Sequence, residues 1–324
     1  MAVYTKFEDA DFIAILNQFD IGNFVAAKGI AEGVENTNYL LTTTKNKFIL
    51  TVYEERVNES DLPFFVELMQ KLSLQNVPCP EPIFAKNGGA ILKHNGKILT
   101  IVSFLNGKSP TLIKNNHVEQ IGKYLAKIHN ASTQVVLTRN NALSLDFWQS
   151  SIAKLDEKAD ANFAGITAKI QNAFAKIQNN WPIDLPSGVI HADLFPDNVF
   201  FEEDKSGAES LSAILDFYMA CNDIFAYDIA ITLNAWCFES DYSFNITKAS
   251  RLLNAYNAER NLTEAEKQAL PLLCAGAALR FLLTRLHAYL NQVEGALVKV
   301  KNPFEYLKKM EFHAQVKSYT EYGL

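Results

Sequence analysis

The stretch His191-Ala192-Asp193-Leu194-Phe195-Pro196-Asp197-Asn198, followed at a distance by Ile214-Leu215-Asp216-Phe217, constrains this chain more than any other segment. Val199-Phe200-Phe201 and residues 211–215 read as two short strands, and the polar segment 202–210, with Gly207 at its middle, reads as the turn between them. A hairpin is the simplest fold of such a stretch. Asn198 and Asp216 lie equally far from Gly207, so a symmetric hairpin places the amide and the carboxylate opposite each other. Two hard oxygen ligands then converge, the set that Mg²⁺ takes when nucleotide phosphates complete its shell. Asp193 precedes Asn198 in a loop stiffened by Pro196, where it is placed to receive or orient a substrate hydroxyl beside the metal. The second acid, Asp216, follows an apolar strand and is expected to be buried.

These residues resemble the catalytic segment of the aminoglycoside phosphotransferase and choline kinase superfamily, small-molecule relatives of the protein kinases. Ala192 stands where protein kinases favour Arg, and Asp216-Phe217-Tyr218 where they have Asp-Phe-Gly; both suit the small-molecule branch. Gly33-Val34-Glu35-Asn36-Thr37-Asn38-Tyr39 fits the nucleotide-covering loop, Phe48-Ile49-Leu50-Thr51-Val52-Tyr53 the third strand, and Ala226-Tyr227-Asp228-Ile229-Ala230 the segment behind the metal Asp. Within the superfamily the chain looks most like the bacterial homoserine kinases. That likeness is carried by Asp61-Leu62-Pro63-Phe64-Phe65, Val77-Pro78-Cys79-Pro80-Glu81-Pro82, Leu279-Arg280-Phe281 and Lys301-Asn302-Pro303-Phe304-Glu305-Tyr306.

The resemblance implies an α+β, two-lobed protein-kinase-like fold, with a small antiparallel-sheet lobe over residues 1–105 and a mainly helical lobe over 106–324. It implies ATP and Mg²⁺ as nucleotide and metal, and L-homoserine as the acceptor. Gly33, Asn36 and Thr37 would cover the phosphates, and the hinge at Ser103 to Leu105 would receive the adenine. Asp193 would be catalytic, with His191 orienting it. Asn198 and Asp216 would hold the metal, and Asp228 would support the catalytic loop from behind, simple N-capping of its own helix being the plainer role. Other acceptors of the superfamily, an aminoglycoside, choline or ethanolamine, or methylthioribose, stay open. A cationic acceptor would want acids, and Asp223, Glu239 and Asp241 form a candidate set.

One position departs from the kinase pattern. Where the third strand commonly carries a Lys or Arg for the nucleotide phosphates, this chain has Thr51, and a hydroxyl cannot supply that charge. Lys47 lies on the same strand face but near the strand's start, where solvent is its natural surrounding. An inactive nucleotide-binding protein is therefore a second reading. Arg280 sits in an apolar helix and must find a partner: either a structural acid such as Glu239 or Asp223, or the carboxylate of a substrate. Trp236 is read in the same two ways, as core or as a pocket wall. His129 is expected at a helix end, where the dipole favours it.

Composition excludes more than it suggests. A chain of 324 residues, 48 % hydrophobic and 20 % charged, can bury a large core and has the length of two domains. A net charge of −6 argues against nucleic acid or an anionic membrane as the partner, leaving a small molecule, with the chain as monomer or homodimer. Cys79, Cys221, Cys237 and Cys274 have neither zinc nor disulfide spacing and read as free thiols of a reducing, cytoplasmic compartment. The N-terminus shows no apolar signal segment, and the apolar run 269–283 is interrupted by Pro271 and Arg280, too short and too broken to span a bilayer.

Periodicity predicts a helix over 7–19, three antiparallel strands within 22–53, and a helix beginning at Leu62 with Asp61 as its N-cap. Strands near 90–92 and 97–104 flank the turn His94-Asn95-Gly96. Further helices are predicted over 117–130, 146–180, 228–238, 246–260, 264–291 and 303–319.

Overall fold

The computed structural model describes residues 5–30, 36–54, 58–292 and 300–324. The chain divides into two compact units. The first comprises Met1–Gly107 with the short returns Gln134–Leu137 and Ser212–Leu215; the second comprises the remainder.

In the first unit, helix α1 (Asp9–Leu16) precedes strands β1 (Phe24–Ile30), β2 (Thr37–Thr43) and β3 (Lys47–Tyr53), then helix α2 (Leu62–Leu74), β4 (Ile91–His94) and β5 (Lys97–Ser103). The strands form one antiparallel sheet in the order β1-β2-β3-β5-β4. Strand alternation explains its core. Tyr39, Leu41, Phe48, Leu50, Val52, Leu99 and Ile101 pack in one cluster with Phe12, Ile15 and Leu16 of α1, burying the apolar half of each strand. Thr51 points to the opposite face, registered between Asn38 and Thr100. The turn between β4 and β5 places Asn95 at φ 50° and Gly96 at φ 77°, the two positive angles that a tight hairpin requires. Asp61 holds the N-cap position of α2 as predicted, without a side-chain cap hydrogen bond. It closes a 3-10 turn, Glu59–Asp61, whose own start is capped by Asn58 accepting from the Ser60 N–H at 3.2 Å.

The second unit is mainly helical. Helix α3 (Asn115–Ser132) leads to α4 (Leu145–Ala153), α5 (Glu157–Asn162) and α6 (Ile166–Asn180), then strand β6 (Ser187–Ile190). Strands β7 (Val199–Glu203) and β8 (Glu209–Ile214) pair as the expected hairpin, with Gly207 at φ 84° in its turn. Strand β9 (Cys221–Ile224) follows and pairs antiparallel with β6, and α7 (Phe225–Trp236), α8 (Ile246–Glu259), α9 (Glu264–Leu290) and α10 (Phe304–His313) complete the unit. The single helix predicted over 146–180 is three. Asp156 accepts from the Lys158 N–H and restarts the helix, and Gly165 at φ 72° breaks it again. Strand β9 escaped prediction because Asn222 and Asp223 leave it no alternating pattern.

Helix α9 matches the predicted 264–291 to within one residue. Among the described residues it is the helix long and apolar enough to cross a membrane by length and composition, at 27 residues with an 18-residue window of mean hydropathy 1.5, and 72 % of that window is buried inside the protein. Its start is fixed by a capping box, in which Thr263 Oγ1 accepts from the Glu266 N–H and Glu266 accepts from the Thr263 N–H.

Candidate active site

The loop expected to be catalytic leaves β6 at Ile190 and turns through Ala192, whose φ of 62° is left-handed. For a residue with a Cβ that conformation costs roughly 1–2 kcal/mol, and it is held from two sides. Asp228, in the first turn of α7, accepts the His191 N–H at 2.8 Å and the Ala192 N–H at 2.9 Å. Arg280 Nη1 donates to the Ala192 carbonyl at 2.8 Å. Asp228 therefore serves the loop and not its own helix.

Asp228 is 0 % exposed. Burial alone would push its carboxyl up, but His129 and the loop amides hold it below the usual carboxylate range. Burial pushes His129 down, toward the neutral form. A neutral ring donates from Nε2 to Asp228 at 3.1 Å and accepts at Nδ1 from the Tyr256 hydroxyl at 2.7 Å. Arg260 in turn donates to Tyr256 at 3.2 Å and to Glu266 at 2.8 Å. A buried polar chain thus runs from the start of α9 through α8 and α3 to the catalytic loop.

His191 is buried, with its ring 4.9 Å from that of Phe217, and its Nδ1 accepts the Asp193 N–H at 3.3 Å. Asn198 Nδ2 donates to the Asp193 carbonyl at 2.9 Å and to Asp193 Oδ2 at 3.3 Å, which leaves Asn198 Oδ1 turned away as an acceptor. Burial pushes the Asp193 carboxyl up, while the nearby Arg280 and His191 act to lower it. Asp193, Asn198 and Asp216 line one cavity of about 220 Å³. Asp216 is exposed, against expectation: its φ of 61° turns it out of the line of β8, while the next residue, Phe217, takes the buried position. The donor set of one amide oxygen and one carboxylate suits a cation that keeps other oxygens from phosphate and water.

The remaining expected residues divide. Gly33 lies outside the described residues. Asn36 and Thr37 are buried and engaged with Glu54: Asn36 Oδ1 accepts its N–H at 3.4 Å, and Thr37 donates to its carboxylate at 2.8 Å. Lys97 completes that cluster at 2.7 Å from Glu54. Thr51 donates to Asn38 Oδ1 at 2.8 Å, and Lys47 stands at the exposed start of β3. The Ser103 N–H is taken by the Glu81 carbonyl at 2.9 Å, whereas the Leu105 N–H has no backbone partner among the described residues. Of the two hinge positions, Leu105 is the one with an amide to offer.

A family model for phosphotransferase enzymes matches residues 26–271. The chain belongs to the phosphotransferase enzyme family. Along its whole length this phosphotransferase is 48 % identical to the homoserine kinase of Granulibacter bethesdensis and 49 % identical to that of Nitrobacter hamburgensis, covering 100 % and 98 % of those proteins. Its fold is that of solved small-molecule kinases. An amicoumacin kinase in complex with AMP-PNP, Ca²⁺ and Ami superposes with a TM-score of 0.69 at 14 % identity, covering 96 % of this chain and 95 % of that one. A spectinomycin phosphotransferase in complex with ADP and spectinomycin gives 0.66 at 12 % identity, with 98 % of each chain covered. The two-lobed α+β, protein-kinase-like fold is thereby established for this phosphotransferase.

Two residues expected at the acceptor do not line the cavity of Asp193, Asn198 and Asp216. Arg280 is 2 % exposed and donates to the Ala192 carbonyl. Trp236 is buried and donates from Nε1 to the Leu194 carbonyl at 2.8 Å, so both residues hold the loop in place. The acids proposed for a cationic acceptor are also elsewhere. Glu239 pairs with Lys248 at 2.6 Å, Asp241 binds Ser243, and Asp223 accepts from Asn141 at 2.6 Å beside a separate cavity walled by Trp148, Trp181 and Tyr227.

The cavity wall carries residues that sequence reasoning missed: Phe195, Asp197, Phe281, Arg285 and Lys301. A signal for them existed. Phe281 and Arg285 are four apart on α9 and share a face, while Arg280 lies about 100° round the helix from Phe281. The motif Leu279-Arg280-Phe281 lies on the helix that lines the cavity, where Phe281 and Arg285 stand on the wall and Arg280 does not.

Proposed function

We infer that this protein transfers the γ-phosphoryl group of ATP to the side-chain hydroxyl of L-homoserine, giving O-phospho-L-homoserine and ADP. The observation that carries this reading is identity of nearly one half, end to end, with homoserine kinases. The assembly of Asp193, Asn198 and Asp216 around one cavity supports it.

The chemistry follows from placement. Asp193 orients the acceptor hydroxyl and takes its proton as the oxygen–phosphorus bond forms and the bond from the γ-phosphorus to the bridging oxygen of ADP breaks. The Asn198 amide keeps the Asp193 carboxylate in place through the hydrogen bond at 3.3 Å. ATP phosphates require a divalent metal, and the amicoumacin kinase was solved with AMP-PNP and Ca²⁺. We assign Mg²⁺ to Asn198 Oδ1 and Asp216; when bound it neutralises charge on the phosphates. Residues 1–105 are the nucleotide-covering lobe in this reading, with adenine at Leu105, and 106–324 supply the catalytic and acceptor-binding groups. The four cysteines are free and buried, in keeping with a cytoplasmic setting.

Aminoglycosides, choline, ethanolamine and methylthioribose fit the cavity wall less well. A cationic acceptor gains nothing from Arg285 and Lys301, whereas an amino acid brings a carboxylate to them. An inactive scaffold has no need of three retained catalytic groups. ADP release from MgATP, followed with L-homoserine, choline and an aminoglycoside in parallel and with Asp193→Ala as the blank, tests the reading. Turnover with L-homoserine alone is expected; ATP binding without turnover of L-homoserine would overturn it.

A further inference from the structure

We propose that Arg285 binds the carboxylate of the acceptor and thereby selects an amino acid over other alcohols; this deepens, and rests on, the reading of the acceptor above. Arg285 lines the same cavity as Asp193, and its side chain is only 11 % exposed. A guanidinium so far removed from water needs anionic partners. Its one acid among the described residues is Glu305, whose Oε2 accepts from Nη1 at 2.6 Å. Glu305 is not Arg285's alone: its other oxygen accepts from Lys309 Nζ at 2.6 Å. Two cations therefore share one carboxylate, and the Arg285 fork uses a single nitrogen on it.

Arg285 lines the cavity, and among the described residues Nη1 is the guanidinium nitrogen with a hydrogen-bond partner. Arg280 has a sealed and unpartnered Nε, but no nitrogen of Arg285 is both buried and without a partner. The fork is also rigid, because the guanidinium lies 4.3 Å from the centre of the Tyr306 ring, and a planar fork fixed in advance suits a planar carboxylate. Lys301, the other cation on the wall, is a poorer candidate. It is 58 % exposed and already paired with an equally exposed Asp197 at 3.1 Å, so solvent screens it. L-Homoserine carries its hydroxyl and its carboxylate at the two ends of a short chain, which lets one molecule meet Asp193 and Arg285 together.

Two anions of the reaction could answer to Arg285, the acceptor's carboxylate and the γ-phosphate, and kinetics separates them. Wild type and Arg285→Gln are assayed with L-homoserine and with 3-aminopropan-1-ol, which is homoserine without its carboxylate. The ratio of kcat/KM for the two acceptors is expected to fall by about 100-fold in Arg285→Gln, the scale for removing one partner of a buried charge pair, with the change in the KM for L-homoserine. Glu305 keeps Lys309 in this variant. Should it fail to fold, Arg285→Lys, which keeps the charge and loses the fork, is expected to lower the ratio by about tenfold. An unchanged ratio in a folded variant, an equal loss with both acceptors, or a rise confined to the KM for MgATP would overturn the proposal. Failure of the wild type itself on L-homoserine would show in the first arm and remove the functional reading together with this one.

Discussion

Asp193 has to be ionised to take a proton, yet burial pushes its pKa up and Arg280 and His191 pull it back. The acid limb of kcat/KM should therefore lie above the ordinary carboxylate value of about 3.9. Activity is lost as the pH falls through that raised pKa. Arg280→Gln removes part of the opposing charge, so the limb is expected to move to higher pH, and a pH–rate profile of the variant against wild type checks it. A limb that stays in place would show that the Arg280 charge does not reach Asp193. Asp216 makes a sharper case. Exposed and outside the core, it can be replaced by Ala with the fold kept, and Asp216→Ala is expected to abolish turnover while circular dichroism and melting stay as in wild type. A folded variant that still releases ADP would remove Asp216 from the metal.

The loop that presents these residues depends on elements distant in sequence. Helix α7 brings Asp228 and α9 brings Arg280 to one turn of chain at His191 and Ala192, while α3 brings His129 to Asp228 and α8 brings Tyr256 to His129. Asp228→Ala strips two buried amides and a buried histidine of their acceptor and is expected to cost about 3–5 kcal/mol, read from the denaturation midpoint. The crossing of α3 and α8 is equally demanding. Gly122 lies so close to α8 that a Cβ would stand 2.1 Å from the Leu252 carbonyl oxygen, backbone that cannot swing aside. Gly122→Ala should destabilise by about 3 kcal/mol. Because α3 carries His129 and α8 carries Tyr256, the same variant should lower kcat, whereas a purely local effect would leave kcat unchanged at temperatures where the protein is folded.

For the whole molecule, two buried histidines set the response to acid. His129 is pushed below its usual pKa by burial, and His313 is brought down to about 3 by burial and by Lys309. A group with a depressed folded pKa binds fewer protons folded than unfolded, so stability is full above the unfolded histidine value of about 6.5 and falls as the pH drops below it. Down to its folded pKa, each such histidine contributes a slope of about 1.4 kcal/mol per pH unit. Melting followed between pH 7 and 5 should show the loss, and His313→Phe should flatten it. The buried Asp228 acts in the same direction at lower pH: its contribution is present above about 3.9 and is lost as the pH falls through its depressed folded value.

Much of this protein is settled by local sequence alone. Alternation of apolar residues specifies β2 and β3, Asn95-Gly96 specifies the β4–β5 turn, and the spacing from Asn198 through Gly207 to Asp216 specifies the hairpin that brings these two residues to one cavity. Each depends on neighbours a few residues apart, where backbone geometry leaves little choice. What long-range packing decides is different in kind. Whether Asp216 is buried or exposed rests on one positive φ, and whether Thr37 faces a phosphate or Glu54 rests on Lys97, far along the chain. Arg280 and Arg285 have the same chemistry on the same helix, and the strip of α9 facing the catalytic loop is distinguished from the strip lining the cavity only once α9 has docked on α7 and α10. Side-chain type is written in the sequence, but the partner that satisfies a buried charge is chosen by which helices cross, and that decided which arginine holds the loop and which one lines the cavity.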